Sequence, residues 1–260
     1  MTPQALVFAA GLGTRLAPLT KQLPKALAPI HGIPALEWIL RRLEQQQVQQ
    51  VVINTHAHAE KIHRFVEART PSFVNLQISH EPILLDTGGG LRRSRSFWSG
   101  NMPILLHNAD VFSNADLTTA WQVHSETNPL ATLLVQQRPT NNRLLVDEAD
   151  LLCGVHYVKQ QDHRILRDPV GNLREVGFCG IHLVAPRIFE TLPEQEVFRI
   201  IPVYLEQVTR GEEIRTVDIG SAYWRDIGTL SSLQQLEADW LAVPGLADAH
   251  RGCSPHSIKA

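Results

Sequence analysis

The sequence predicts an α/β fold in which helices flank a mixed, mostly parallel central sheet. Short apolar runs of strand length, such as residues 5–8 and 51–54, recur along the chain. Segments with the helical spacing of apolar residues, such as 35–43, follow these runs. The 260 residues are enough for one large domain or two closely packed lobes.

The predicted elements alternate in the order that parallel strands with crossover helices require. Apolar runs predict strands at residues 5–8, 51–54, 76–79, 102–107, 131–135, 178–184 and 214–218. Helical periodicity predicts helices at residues 35–43, 60–69, 117–125, 186–190, 198–206 and 230–240. Between residues 141 and 176, short runs alternate with polar turns, which predicts a small antiparallel insertion. Residues 1–243 form the predicted domain, and 244–260 form a predicted loose tail.

A turn of small residues follows the first predicted strand and contains Ala10, Gly11, Gly13 and Thr14. Small residues let backbone N–H groups approach a polyphosphate closely, so these positions are candidate nucleotide-binding residues. Arg15 then offers a fork of donors to phosphate oxygens, and Lys25 offers a point charge. Leu16 stands where a dinucleotide-binding turn needs its third glycine, and Gly13-Thr14-Arg15 does not match the end of a P-loop.

Polar residues also follow two later strands. Glu81 comes after the strand at 76–79, and Asp86-Thr87-Gly88-Gly89-Gly90 comes next. We expect these glycines to adopt positive φ angles in a loop against a flat ligand, and not to pack in the core. Asp110 follows the strand at 102–107. A carboxylate at the carboxyl end of a buried parallel strand is a candidate Mg²⁺ ligand.

Charge and cysteine content exclude several classes of function. The net charge is −2 without a clustered basic excess, so we expect no nucleic-acid partner. Cys153, Cys179 and Cys253 have no C-x-x-C spacing, which is typical of free thiols in a reducing compartment. The chain enters a strand without a charged leader, and no apolar run approaches membrane-spanning length. We therefore expect a cytoplasmic monomer or small homo-oligomer with no membrane partner.

Two motifs carry a family resemblance. Gly11-Leu12-Gly13-Thr14-Arg15-Leu16, followed by Pro18-Leu19-Thr20 and Pro24-Lys25, resembles the opening of the sugar-1-phosphate nucleotidyltransferases. Trp224-Arg225-Asp226-Ile227-Gly228-Thr229 resembles a later motif of that family. The resemblance implies a Rossmann-like, glycosyltransferase-A-like fold, with a nucleotide-binding half at 1–125 and a sugar-binding half at 126–243. It implies an enzyme that converts a nucleoside triphosphate and a sugar 1-phosphate into an NDP-sugar and pyrophosphate.

The resemblance also implies roles for individual residues. Arg15 and Lys25 are the implied catalytic residues, and Asp226 is the implied second Mg²⁺ ligand beside Asp110. The base-recognition loop of the family is implied at Glu81, Thr87, Gly88 and Gly89. Sugar contacts are implied at Asn108, Asp168, Cys179 and Gly180. Cys179 replaces the usual asparagine, and Leu166-Arg167-Asp168-Pro169 stands where members commonly carry Glu-Lys-Pro.

The identity of the base and the presence of activity stay open at this stage. The Glu81 carboxylate accepts hydrogen bonds only, which suits the N1–H and N2–H₂ donors of guanine. The Thr87-Gly88-Gly89-Gly90 form resembles the uridylyltransferases of the family, and this favours UTP over GTP by a small margin. The alternative is a catalytically silent nucleotide-sugar sensor or regulatory subunit with the same fold. The presence of Arg15, Lys25 and both aspartates favours the enzyme.

Overall fold

The computed structural model describes residues 3–69 and 74–251. Its strands are β1 (Gln4–Phe8), β2 (Pro29–Ile30), β3 (Ile33–Pro34), β4 (Gln50–Thr55), β5 (Asn75–His80), β6 (Ile104–Asn108), β7 (Val111–Ser113), β8 (Ala131–Gln136), β9 (Asn142–Val146), β10 (Leu152–Tyr157), β11 (Asp162–Ile165), β12 (Arg174–Val184), β13 (Ile214–Asp218) and β14 (Trp224–Asp226). Its α-helices are α1 (Ala35–Gln45), α2 (Ala59–Ala68), α3 (Asp86–Arg93), α4 (Leu117–Thr127), α5 (Ile200–Thr209) and α6 (Leu230–Ala242). The helix predicted at residues 186–190 is a short 3₁₀ segment, Pro186–Glu190.

One large mixed sheet organises the described residues, in the order β11-β10-β9-β12-β6-β1-β4-β5, with β8 pairing with β12 and β13. Strands β6, β1, β4 and β5 run parallel, and their carboxyl ends therefore meet at one edge of the sheet. Strand β12 pairs antiparallel with β6 and joins the sheet to the small antiparallel insertion of β9, β10 and β11. The predicted fold class and the predicted insertion are confirmed.

Apolar side chains bury both faces of this sheet because residues alternate in direction along each strand. Ala5 and Val7 of β1 join a core with residues of α1, α4 and α6. Leu6 points to the opposite face and joins a second core with residues of α5 and with Leu91 of α3. Within the described ranges, none of the helices combines the length and apolar character needed to cross a bilayer.

A two-stranded ribbon beyond the end of β6 brings together distant parts of the chain. Strand β7 pairs antiparallel with β14, and this register places Asp226 opposite Val111. The Ile227 N–H also donates to the Asp110 carbonyl oxygen at 2.9 Å. Residues 110 and 226 are therefore neighbours in space, although more than one hundred positions separate them in sequence.

The structure corrects two predictions about local order. The Asp86–Gly90 stretch begins helix α3, and its three glycines are buried there without positive φ angles. Residues 244–251 of the predicted tail are not loose, because Leu246 and Ala247 are buried in the same core as α1 and α6. Cys253 and the rest of the predicted tail lie outside the described residues.

Candidate active site

A cleft of about 410 Å³ lies at the carboxyl ends of the parallel strands. Strands β1, β4 and β6 contribute Phe8, Asn54 and Asn108 to its wall. The turn after β1 supplies one side, and the segment before α3 supplies another. The remaining lining residues are Ala9, Ala10, Gly11, Leu12, Gly13, Thr14, Arg15, Lys25, Ala26, Glu81, Leu84, Asp86, Thr87, Ala109, Asp110 and Gly228. Most of the residues that the sequence predicted to bind nucleotide therefore share one cavity.

The turn after β1 is held in shape by internal contacts. Gly13 has a φ of +63° and packs so closely that a Cβ there would lie 2.9 Å from the Thr20 methyl and 3.0 Å from the Lys25 Cβ. The Thr20 hydroxyl donates to the Gly13 carbonyl oxygen at 2.9 Å. Only glycine tolerates this conformation and this proximity. The shape of the turn therefore requires glycine at position 13, whether or not a phosphate approaches it.

The predicted charged residues meet at the floor of the cleft. Lys25 forms an ion pair with Asp110, whose side chain is 29% exposed. A Cβ placed on Gly228 would lie 2.6 Å from Asp226 Oδ1 and 2.9 Å from Arg15 Nη2. Arg15 and the Asp226 carboxylate therefore border the same glycine. Arg15, Lys25 and Asp110 line the cleft, and the Asp226 carboxylate lies beside Gly228, which lines it as well.

The two aspartates fit the donor set of a magnesium ion that shares its coordination with substrate. Mg²⁺ is bound by one or two carboxylates together with phosphate oxygens, and retains water. Asp110 borders the open cleft, and Asp226 lies beside it through the β7–β14 register. In the described part of the chain, no group of three or more His, Cys, Asp and Glu side chains forms a closed metal cage.

Glu81 differs from its prediction as a base-contacting carboxylate. It is 0% exposed, and its oxygens accept hydrogen bonds from Asn54 Nδ2 at 2.7 Å and from the Leu85 N–H at 3.0 Å. Burial raises the pKa of Glu81 above its usual value, and these two hydrogen bonds oppose the rise. A buried carboxylate that is already engaged does not present a free edge to a guanine ring.

Residues at the start of α3 form the wall beside Glu81. Asp86 has a φ of +61°, and its carboxylate accepts from the Thr87 N–H at 2.8 Å and from Arg199 Nε at 3.2 Å. The Thr87 hydroxyl accepts from the Ile200 N–H at 3.1 Å. Asp86 and Thr87 line the cleft and are anchored to the start of α5.

Gly88 and Gly89 do not line the cleft, contrary to the prediction. Both N–H groups donate to the Phe198 carbonyl oxygen, at 2.9 Å and 3.2 Å. A Cβ on Gly88 would lie 2.4 Å from the Phe198 ring, and one on Gly89 would lie 2.4 Å from the Glu196 carbonyl oxygen. These glycines are therefore present for close packing, the role that the sequence argument rejected.

The predicted sugar contacts are only partly brought together. Asn108 lines the cleft, and Gly180 lies behind it, since a Cβ there would be 2.7 Å from Asn108 Nδ2. Cys179 is instead buried in the core, because alternate residues of β12 face opposite sides, and burial raises the pKa of its thiol to about 12. Asp168 is exposed on the connection between β11 and β12, and it does not line the cleft.

Asn54 is a site residue for which the sequence predicted no role. The Asn54 side chain accepts hydrogen bonds from the Ala9 N–H at 2.6 Å and from the Ala10 N–H at 3.1 Å. The Ala10 N–H is therefore committed within the protein and is not a free phosphate donor. A polar residue directly after the apolar run Val51–Ile53 of β4 is the signal that could have pointed to Asn54.

Comparison with known proteins agrees with this geometry. The family model described as "Nucleotidyl transferase" matches residues 4–144. The chain is 28% identical over 246 residues to N-acetylmuramate alpha-1-phosphate uridylyltransferase of Neisseria meningitidis, covering 90% of this chain and 97% of that relative. It is 26% identical over 197 residues to D-glycero-alpha-D-manno-heptose 1-phosphate guanylyltransferase of Campylobacter jejuni, covering 75% of this chain and 81% of that relative.

A solved structure shares the fold. The putative glucose-1-phosphate thymidylyltransferase of Bacillus anthracis superposes with a TM-score of 0.76 at 19% identity, covering 92% of this chain and 94% of that one. This likeness supports the glycosyltransferase-A-like arrangement of the sheet. The family match covers more than half of the chain, including the turn, Lys25 and Asp110. The chain therefore belongs to the nucleotidyl transferase family, and the resemblance to the sugar-1-phosphate nucleotidyltransferases that its motifs indicated is confirmed.

Proposed function

We propose that this protein transfers a uridylyl group from UTP to a sugar 1-phosphate, giving a UDP-sugar and pyrophosphate. The observation that carries the proposal is the meeting of Arg15, Lys25 and Asp110 with the small-residue turn in one open cleft. A triphosphate brings several negative charges, and this cleft offers two cations and backbone N–H groups to receive them.

The residues support transfer by charge neutralisation and alignment. An oxygen of the sugar phosphate attacks the α-phosphorus, a new P–O bond forms, and the bond to the bridging oxygen of pyrophosphate breaks. The sugar phosphate is already ionised near neutral pH, so the step requires no general base. Lys25 stabilises charge at the α-phosphorus, and Arg15 with the turn amides holds the departing pyrophosphate.

Asp110 and Asp226 are the residues that would hold a magnesium ion. When bound, the ion supplies neutralisation of the phosphate charge and a template for the two reactants. The Lys25–Asp110 ion pair keeps both side chains at the cleft floor. Asp226 is fixed by its place on β14 and by the Gly228 N–H, which donates to Asp226 Oδ1 at 2.9 Å.

The preference for UTP is supported by one relative and by the position of Glu81. The relative that this chain matches over 97% of its length is named a uridylyltransferase. Glu81 was the residue that favoured GTP, and its carboxylate is buried and already accepts a hydrogen bond from Asn54. GTP is the second candidate, because another relative is named a guanylyltransferase.

We assign nucleotide binding to residues 1–125 and sugar binding to residues 126–243. The first assignment is supported by the cleft, since all of its lining residues except Gly228 come from the first range. The second is supported by the antiparallel insertion of β9, β10 and β11. In the strand order, this insertion lies beyond β12, at the opposite edge of the sheet from β4 and β5.

Pyrophosphate release tests the proposal directly. The purified protein is incubated with Mg²⁺, each common nucleoside triphosphate in turn, and a panel of sugar 1-phosphates. We expect release with UTP and one class of sugar 1-phosphate. Omitting the sugar phosphate is the control for simple hydrolysis of the triphosphate.

Each other outcome has a defined meaning. Release with GTP alone contradicts the base assignment but supports the reaction class. If no pyrophosphate is released with any substrate pair but nucleotide still binds, the result favours the alternative of a catalytically silent nucleotide-sugar sensor. Silence without nucleotide binding contradicts the assignment of the cleft.

A further inference from the structure

A buried pair of polar side chains connects the two walls of the nucleotide cleft. Asn54 is the penultimate residue of β4 and is 2% exposed, and Glu81 follows β5 and is 0% exposed. Asn54 Oδ1 accepts from the Ala9 and Ala10 N–H groups, and Asn54 Nδ2 donates to Glu81 Oε1 at 2.7 Å. Glu81 Oε2 accepts from the Leu85 N–H at 3.0 Å. A continuous chain of hydrogen bonds therefore runs from the small-residue turn to the segment before α3.

The direction of these hydrogen bonds requires a carboxylate at position 81. The Ala9 and Ala10 N–H groups can only donate, so the oxygen of the Asn54 amide must face them. Its NH₂ group must then face Glu81, while the Leu85 N–H approaches the other carboxylate oxygen. Both oxygens at position 81 must accept. A glutamine there would direct its own NH₂ group at one of these two donors.

Helix α3 is built to leave room for this pair. A Cβ on Gly90 would lie 2.7 Å from Asn54 Nδ2 and 2.7 Å from Glu81 Oε1. Glycine at this position lets the helix backbone close over the hydrogen bond between the two side chains. The turn, the ends of β4 and β5, and α3 thus pack around one buried polar contact.

We propose that Glu81 and Asn54 are positioning residues that hold the small-residue turn in its triphosphate-binding shape, whatever base the nucleotide carries. The inference rests on the proposed function and deepens its nucleotide site. It replaces the expectation that Glu81 reads the base. Loss of the pair weakens binding of every nucleoside triphosphate by a similar factor, because the turn contacts the phosphates that all of them share.

The pair also links triphosphate binding to pH. Burial raises the pKa of Glu81, while the hydrogen bonds from the Leu85 N–H and Asn54, together with His56 and Arg93, oppose the rise. His56 faces the same segment, and its ring Nδ1 lies 2.9 Å from the Glu81 carbonyl oxygen. Protonation gives Glu81 a donor where an acceptor is needed. As the pH falls toward this raised pKa, we expect wild-type affinity for the triphosphate to approach that of the Glu81→Gln variant.

The first experiment measures binding and kinetics of Glu81→Gln against wild type. We expect the KM and the dissociation constant for UTP and for GTP to rise by about tenfold or more. The ratio of kcat/KM values for the two nucleotides, and the KM for the sugar 1-phosphate, stay within about threefold of wild type. Glu60→Gln makes the same chemical change at an exposed position of α2 and is the matched control.

An exchange of the pair separates positioning from a general loss of structure. In the double variant Asn54→Asp/Glu81→Gln, the aspartate accepts from the Ala9 and Ala10 N–H groups and from the glutamine NH₂. The glutamine oxygen then accepts from the Leu85 N–H, so the hydrogen-bond chain is complete again. We expect the double variant to bind UTP more tightly than either single variant, which is a measurable coupling between the two sites.

The outcomes that overturn the inference are distinct. A change of more than tenfold in the UTP to GTP ratio on Glu81→Gln means that Glu81 reads the base. Unchanged nucleotide affinity in Glu81→Gln, or a double variant weaker than both single variants, means that the pair does not hold the turn. If Glu81→Gln does not fold, a double variant that binds UTP more tightly than Asn54→Asp still supports the inference, and one that binds UTP more weakly than Asn54→Asp overturns it. Direct UTP binding is measured without turnover, so a failure of the proposed reaction does not obscure the result.

Discussion

At the scale of single residues, the cleft depends on charges that the fold places at its floor. Lys25 lies on the loop after β1, and Asp110 lies between β6 and β7, yet the two form an ion pair. Both side chains are partly exposed. Exposed ion pairs contribute little to the stability of a fold, so stability alone does not explain this pair. Their position beside the turn is consistent with the proposed roles in binding phosphate and metal.

Replacement of either charge tests this role. We expect Lys25→Met and Asp110→Asn each to lower the turnover number by at least about 100-fold, because the first removes the positive charge proposed to face the transferring phosphoryl group and the second weakens the proposed magnesium site. The fold should survive, and circular dichroism with thermal unfolding checks that it does. Lys21→Met, at an exposed position on the same loop, is the matched control. Turnover within about fivefold of wild type in both variants would contradict the assignment.

Cys179, which was predicted to contact the sugar but lies in the core, can be tested by substitution. Its side chain lies in the core, and its backbone oxygen accepts from Trp224 Nε1 at 2.8 Å. We expect Cys179→Ala to lower the free energy of unfolding by about 1–2 kcal/mol through lost apolar burial. The KM for the sugar 1-phosphate should not change, and a rise of tenfold or more at unchanged stability would restore the sugar-contact role. Denaturant unfolding and steady-state kinetics provide the two measurements.

At the scale of elements, α3 shows why a helix can contain three consecutive glycines. Each glycine disfavours a helix by about 1 kcal/mol relative to alanine. The compensation is tertiary, because the helix backbone approaches the Phe198 segment, Asn54 and Glu81 more closely than any side chain would allow. The close approach positions Asp86 and Thr87 at the cleft wall.

An alanine substitution at Gly88 of α3 distinguishes the effect of helix propensity on stability from the effect of close packing. Gly88→Ala raises helix propensity, but its Cβ would lie 2.4 Å from the Phe198 ring. We expect a net loss of about 1–3 kcal/mol in the free energy of unfolding, because overpacking exceeds the gain in propensity. Thr119→Ala, at an exposed position of α4, should be neutral or stabilising under the same urea titration. A stabilised Gly88→Ala protein would show that the Phe198 ring can move away from the added Cβ at little cost in free energy.

At the scale of the whole molecule, buried histidines make stability depend on pH. Burial lowers the pKa of His107, His182 and His250 to about 3 and that of His124 to about 4. In the unfolded chain these groups titrate near 6.5. Between these values the unfolded state binds more protons than the folded state. Stability is therefore fully present above about pH 6.5 and is lost as the pH falls toward the folded pKa values.

The urea midpoint measured between pH 7.5 and pH 5.5 checks this linkage. Each histidine contributes up to about 1.4 kcal/mol per pH unit once the pH lies well below its unfolded pKa. His182 is the best single test, because neither ring nitrogen has a hydrogen-bond partner among the described residues. We expect His182→Leu to reduce the pH dependence of the free energy of unfolding by the contribution of one histidine. An unchanged pH dependence in this variant would mean that the pKa of His182 is the same in the folded and unfolded states, which contradicts the lowered value.

Much of the molecule could be predicted from the chain alone. Apolar runs gave the parallel strands because a strand buried on both faces needs apolar residues throughout. The turn after β1, Arg15, Lys25 and Asp110 could be chosen as candidates because phosphate chemistry limits the residue types that serve it, and the structure brings them into one cleft. The strand ends then placed these groups at one edge, since parallel strands share the direction of their carboxyl ends.

Other features were decided only by tertiary structure. The sequence identified Glu81, Cys179 and the glycines of α3 as chemically notable, but it could not show their surroundings. Neighbours from distant parts of the chain made Glu81 a buried acceptor, placed Cys179 in the core, and turned the glycines into packing positions. Local sequence determines which groups a strand end carries. Contacts across the fold determine which of those groups reach the ligand, because burial and hydrogen-bond partners are properties of the packed chain.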